Sequence, residues 1–257
     1  MTSWIRFRHR GIVGFGTLAQ GQITVHHGDM LFAPKANGER IALSDVELLA
    51  PVQPSKVVAL WNNFHALAAK LDVAEPAEPL YLLKAPTSVT NPGAVVRRPP
   101  SYDGKVVYEG ELCIVIGKAC SAISANQADA HIFGYTCVND ITAADIIGKD
   151  ATFPQWARAK SFDMFCPFGP VVVAGIDPLN LIVKTILNGA ERQSYPISDM
   201  IFSAQELVSK VSHDMTLLPG DLICCGTSIG VGAMKEPVNS VTVSIEGIGE
   251  LTNEFRN

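Results

Sequence analysis

Five apolar residues in a row, Leu112-Cys113-Ile114-Val115-Ile116, are stopped by Gly117 and headed by Tyr108-Glu109-Gly110-Glu111. A run of this length between a charge and a turn signal reads as a buried strand. Residues two apart in a strand share a face, so Glu109 and Glu111 project side by side at its mouth. Two carboxylates held that close raise each other's pKa. A chain that places them there needs a reason, and three are open: solvated edge charges, a pair for general acid–base work, or metal ligands.

The rest of the chain surrounds that strand with others. Residues 1–50 read as a small β domain, with "IRFRHRGIVGFGTL" and "QGQITVHHGDM" as short alternating runs punctuated by glycine. Gly14–Ala19 fits a dinucleotide fingerprint by letter, but a turn and strand follow it where a helix is required. Pro51 opens the larger unit, residues 51–257. Its predicted strands include "KVVAL", "LYLLKAP", "GYTCVND", "VVVAG" and "LIVKTILNG". Asn188-Gly189 signals a hairpin. Helices are predicted over Asn62–Leu71 and Ser203–Asp214, the second with Ser203 and Glu206 as a capping box; Ser124 and Gln127 form another. Asp150–Pro170 is long, aromatic and irregular, and such loops tend to be functional. Few helices scattered among many strands argue for an α+β, strand-rich fold and against a doubly wound sheet.

At 257 residues, 47% hydrophobic and 18% charged, the chain can bury a sizeable core. A formal net charge of -5 gives no electrostatic footprint for nucleic acid and no polybasic membrane patch. No apolar run reaches bilayer length, and "MTSWIRFRHRG" lacks the apolar core of a signal peptide. The six cysteines form no C-x-x-C pair and read as buried reduced thiols. A cytoplasmic location is the expectation.

A third carboxylate, Asp140, ends the predicted strand "CVND" 29 positions after Glu111. Three oxygen ligands from two strand ends make an open site for a hard cation, whose charge removes the repulsion between the glutamates. In order along the chain, "YEGELCIVIGK", "GYTCVNDITAAD", "WARAKSFDMFCPFGP" and "PGDLICCGTSIGVG" resemble the fumarylacetoacetate hydrolase superfamily. Its small bacterial-type members include acylpyruvases, 2-oxo acid decarboxylases and 2-hydroxyhepta-2,4-diene-1,7-dioate isomerases. The resemblance runs from about Pro51 to the C-terminus; residues 1–50 resemble a small N-terminal domain of some members.

The resemblance implies a mixed β-roll, a homodimer, and Mg²⁺ or Mn²⁺ held by Glu109, Glu111 and Asp140. It implies a small 2-oxo or β-dicarbonyl acid as substrate, often from aromatic catabolism. Lys160 matches the family lysine beside the metal, where it would bind a carboxylate or deliver a proton. Tyr102, Gln155 and Thr227 match regions that line the pocket.

Two departures qualify it. Many members carry N-Y-x-x-H-x-x-E on a lid helix, whose His–Glu pair activates water. Here Leu67 and Lys70 take the His and Glu positions of "NFHALAAK". His65 is the remaining candidate catalytic residue there. It lies two residues early, about 200° round a helix, with no carboxylate three or four residues on. A capping or packing role competes. Ala144 stands where an arginine is common, leaving Arg158 or Lys84 to supply a substrate-facing cation. Asp163 either orients Lys160 or caps a turn, and His131 reads as structural. Three functions are in play: metal-dependent C–C cleavage (decarboxylation or hydrolysis), 2-hydroxydienoate tautomerisation, and non-catalytic metal binding.

Overall fold

The strand over Gly110–Ile116 is buried at every position and lies inside a twelve-stranded sheet. In the computed structural model, which describes all 257 residues, its antiparallel neighbours are Ile132–Asn139 on one side and Leu222–Cys224 on the other. Beyond Leu222–Cys224 come Val57–Trp61, parallel to it, and the edge strand Leu80–Lys84. Beyond Ile132–Asn139 comes Cys166–Ala174. The N-terminal strands continue the same sheet, because Thr2–His9 hydrogen-bonds to Cys166–Ala174 and then to Ile12–Ala19.

Alternation along Gly110–Ile116 divides the interior. Leu112, Ile114 and Ile116 face the largest apolar cluster. That cluster takes Leu207, Val208 and Val211 from the helix Ala204–Asp214, and Val183, Val243 and Ile245 from a second, five-stranded sheet. Cys113 and Val115 face a smaller cluster with Val57, Ala59, Cys224 and Phe168. Glu111 shares that second face, one step nearer the end of the strand.

Local signals produced most of these elements. Ser203 accepts from the backbone N–H of Glu206, and the Glu206 carboxylate accepts from the Ser203 N–H at 2.8 Å. Asn188 and Gly189 turn Ile182–Leu187 into Ala190–Pro196. The Ser124–Gln127 box caps only a short 3-10 helix, Ala125–Ala130.

Two expectations change. The helix read from Asn62 begins at His65, because Asn62 is left-handed at φ 55° and Asn63 is buried, donating to the Cys225 carbonyl at 2.9 Å. The irregular stretch before Pro170 holds a helix, Trp156–Lys160, and the start of Cys166–Ala174. All six cysteines are free and buried. No helix is long and apolar enough to cross a membrane.

Candidate metal and active site

Glu109, Glu111 and Asp140 meet at one end of the paired strands Gly110–Ile116 and Ile132–Asn139, with a carboxylate oxygen from each within 4.8 Å of the others. The register does this: Gly110 pairs with Asn139, so the residues just beyond, Glu109 and Asp140, are neighbours. The Asp140 N–H donates to the Glu109 carbonyl at 2.8 Å, and the Glu109 N–H donates to Asn139 Oδ1 at 3.0 Å. Gly110 separates the glutamates for a steric reason. It faces the five-stranded sheet, and a Cβ there would fall 2.0 Å from Thr185 Oγ1.

Two lysines compensate the carboxylates. Lys160, the last residue of its helix, donates to Asp140 Oδ2 at 2.6 Å, Thr142 Oγ1 at 2.7 Å and Glu109 Oε2 at 2.9 Å. Lys84, the last residue of the edge strand, donates to Asp140 Oδ1 and to the Phe165 carbonyl at 2.9 Å. Both lysines are buried. Burial disfavours their charge, but the surrounding carboxylates outweigh it and raise both pKa values, with Asp140 the main cause. Burial likewise pushes Asp140 up, but Lys160 and Lys84 win and hold it below its ordinary value.

Glu111 is different. Its Oε2 accepts from the Gly226 N–H at 2.9 Å, while its buried Oε1 meets no hydrogen-bond donor. Burial, then the Asp140 and Glu109 charges, raise its pKa well above the usual carboxylate range. A buried carboxylate oxygen without a donor is costly unless a proton or cation takes it. Three carboxylates, one of them with an unsatisfied oxygen, form an all-oxygen donor set, which fits a divalent hard cation.

The other sequence candidates divide. Thr227 is at the site's edge: its hydroxyl donates to the Gly110 carbonyl at 3.1 Å and accepts from Gln193 Nε2 at 2.8 Å. Tyr102 is occupied elsewhere, donating to the Lys105 carbonyl at 2.9 Å and accepting from the Asp145 N–H at 3.1 Å. Arg158 is exposed and donates to Gln155 Oε1 at 3.0 Å. His65 is 49% exposed in its side chain, and its Nδ1 lies 2.6 Å from Glu75 Oε1. The carboxylate missing from the lid helix is thus supplied by the following loop, but neither residue contacts the carboxylate cluster. Asp163 is not among the partners of Lys160, and His131 Nδ1 lies 3.2 Å from the Lys118 carbonyl.

Sequence reasoning missed Asn139, Thr142, Gln193 and Glu75. Asn139 and Thr142 flank Asp140 in "NDIT" and were visible as a polar cluster at a strand end. Gln193 is buried, donates to Thr227 and accepts from the Gly110 N–H at 3.1 Å. Nothing local in "AERQSYP" separates it from its exposed neighbours.

A strand-rich roll with carboxylates and lysines gathered at a strand end defines the class of protein. The chain belongs to the fumarylacetoacetate hydrolase family. Residues 56–256 match the family model described as fumarylacetoacetate (FAA) hydrolase C-terminal, and residues 3–51 match Rv2993c-like, N-terminal. It is 43% identical to Protein Rv2993c of Mycobacterium tuberculosis over 86% of this chain and 82% of that one. It is 39% identical to oxaloacetate tautomerase YisK of Bacillus subtilis, over 93% of this chain and 84% of that one. A crystal structure of 2-hydroxyhepta-2,4-diene-1,7-dioate isomerase from Mycobacterium marinum superposes with a TM-score of 0.91, at 37% identity, covering 100% of this chain and 98% of the other. Relatives in this family are enzymes, tautomerases and isomerases by name.

Proposed function

We propose that the protein interconverts enol and keto forms of a small 2-oxo acid, with no carbon–carbon bond broken. One observation carries this reading: a buried lysine ammonium, Lys160, is hydrogen-bonded to two members of an oxygen-ligand cluster, while the only histidine of the lid helix turns outward to Glu75. The cluster suits a 2-oxo acid and Lys160 offers a proton beside it, but no His–carboxylate pair stands at the cluster to activate water. The names of the relatives support the same choice over C–C cleavage.

Glu109, Glu111 and Asp140 would hold Mg²⁺ or Mn²⁺, which when bound supplies Lewis acidity to a chelating 2-oxo carboxylate. The chain's own residues do the rest. Lys84 and Lys160 grip opposite oxygens of Asp140 and fix its orientation. Thr142 donates to Glu109 Oε1 at 2.8 Å, aiming that carboxylate, and accepts from Lys160. Lys160 holds a proton at Nζ because carboxylate charge surrounds it. Its ammonium, beside Asp140, Glu109 and Thr142, would be the group placed to pass a proton to a substrate seated at the cluster.

The test is turnover of oxaloacetate, an acylpyruvate and a 2-hydroxydienedioate, with Mg²⁺ or Mn²⁺ and with chelator, followed by ultraviolet absorbance and product mass. The reading expects metal-dependent enol–keto conversion at unchanged mass. Release of carbon dioxide, or a product heavier by one water, would replace it with decarboxylation or hydrolysis. Metal binding without turnover would favour a binding role.

A further inference from the structure

The sheet register carries an apolar wall to the acid cluster. Cys113 lies opposite Cys224, and Cys224 opposite Ala59. Toward the same end of the sheet, Glu111 lies two residues beyond Cys113 and Trp61 two residues beyond Ala59, and Trp61 pairs with Leu80. Residues two apart in a strand share a face, so Trp61 and Leu80 project on the Glu111 side. Trp61 stands two strands from Glu111, about 10 Å at the usual strand spacing.

Trp156 completes the wall. Its ring lies 5.5 Å from that of Trp61, centroid to centroid, at 48°. It opens the helix Trp156–Lys160, and residues four apart in a helix share a face, so its indole stands on the Lys160 side. Both indoles are half-buried, and Leu80 is 43% exposed. The mechanism above uses none of the three. No cation belongs to the wall: Arg158, two positions from Trp156, turns to Gln155, and Lys84 is tied to Asp140.

We propose that Trp61, Trp156 and Leu80 form a specificity subsite for a planar apolar arm, aryl or conjugated alkenyl, on a 2-oxo acid whose head sits at Glu109, Glu111 and Asp140. This rests on the functional reading above and narrows its substrate class. Flat rings pack on indoles with large contact and little lost freedom. A second carboxylate, as in oxaloacetate, would find no charge partner there.

The test uses the whole, metal-loaded protein and two unreactive probes: oxamate, which is the head alone, and N-phenyloxamate, which adds a ring. Calorimetry gives affinities, and indole fluorescence reports contact. Wild type is expected to bind the ring-bearing probe at least tenfold more tightly, with quenching that oxamate does not cause. Trp61→Ala and Trp156→Ala are expected to lose most of that preference while binding oxamate within twofold of wild type, which also shows them folded. If a variant loses oxamate binding too, wild-type quenching decides: quenching by N-phenyloxamate alone supports the subsite, and its absence overturns it. Equal affinities in wild type, or a preference both variants keep, overturn the subsite and leave the acid cluster standing. No oxamate binding in loaded wild type overturns both.

Discussion

Glu111 and Asp140 sit in one carboxylate cluster with opposite titration behaviour, and the difference is two lysines. Asp140 has both, and its pKa is lowered; Glu111 has a backbone N–H and an oxygen with no donor, and its pKa is raised. A carboxyl whose folded pKa is raised stabilises the fold below the ordinary carboxylate range. It withdraws that contribution as pH climbs toward the elevated value. The metal-free protein should therefore lose stability as pH rises above the ordinary carboxylate value, and Glu111→Gln should flatten that dependence in thermal melts. Metal uptake must deprotonate Glu111, so it should release protons into a weakly buffered dye solution and tighten with rising pH. Lys160→Met removes the ammonium bonded to Asp140, Glu109 and Thr142, and should lower kcat about 10²- to 10⁴-fold, the range of a lost acid–base group. The glutamate pair and Asp140 were legible because a strand has period two and a strand end is visible. Lys84 was named only as a stand-in cation; its contact with Asp140 depends on the sheet curling, which no local pattern records.

At the scale of elements, the loop after Leu222–Cys224 links the chain entering the helix His65–Leu71 to the acid cluster. Gly226 donates to Glu111 and has φ 88°, and an added Cβ would sit 3.3 Å from the Leu60 carbonyl oxygen. Gly226→Ala should cost about 1–2 kcal/mol from the left-handed backbone and weaken metal binding, read by melting and calorimetry on one sample. Asn63 donates to the Cys225 carbonyl and accepts from the Phe202 N–H at 2.9 Å. Asn63→Ala leaves buried partners unpaired and should destabilise by about 1–3 kcal/mol. Capping boxes and the Asn-Gly turn announced their elements because their chemistry is local. The Trp156–Lys160 helix did not: one turn cannot show a 3.6-residue period, and its anchor, Lys160 on distant carboxylates, is tertiary. The outward turn of His65 agrees with its rotation from the family position, but its partner Glu75 lies ten residues away and left no signal.

Over the whole molecule, the N-terminal strands and the acid-bearing strands share one sheet. Ile5 and Phe7 are buried in the largest core cluster, and Thr2, Ser3 and Trp4 pair with Ala174, Val173 and Val172. Burying such side chains contributes about 1.5–3 kcal/mol each. Removal of residues 1–50 should therefore yield a poorly soluble chain with reduced metal affinity, measured by soluble yield and circular dichroism; a stable, fully metal-competent fragment would show the first strands to be an independent appendage. Strand-rich class was readable from turn spacing, whereas the continuation of the first strands into the large sheet and the order of strands there were not, because pairing is set between segments far apart in sequence.

The claim on which the rest depends is that Glu109, Glu111 and Asp140 bind one divalent cation. Its most direct test is titration of the protein with Mn²⁺, followed by electron paramagnetic resonance and calorimetry, for wild type, Glu109→Ala and Glu111→Gln. One tight site in wild type, weakened at least tenfold in both variants while they remain folded, is the predicted result. A stoichiometric site indifferent to both substitutions, or no site in the wild-type protein, would contradict it.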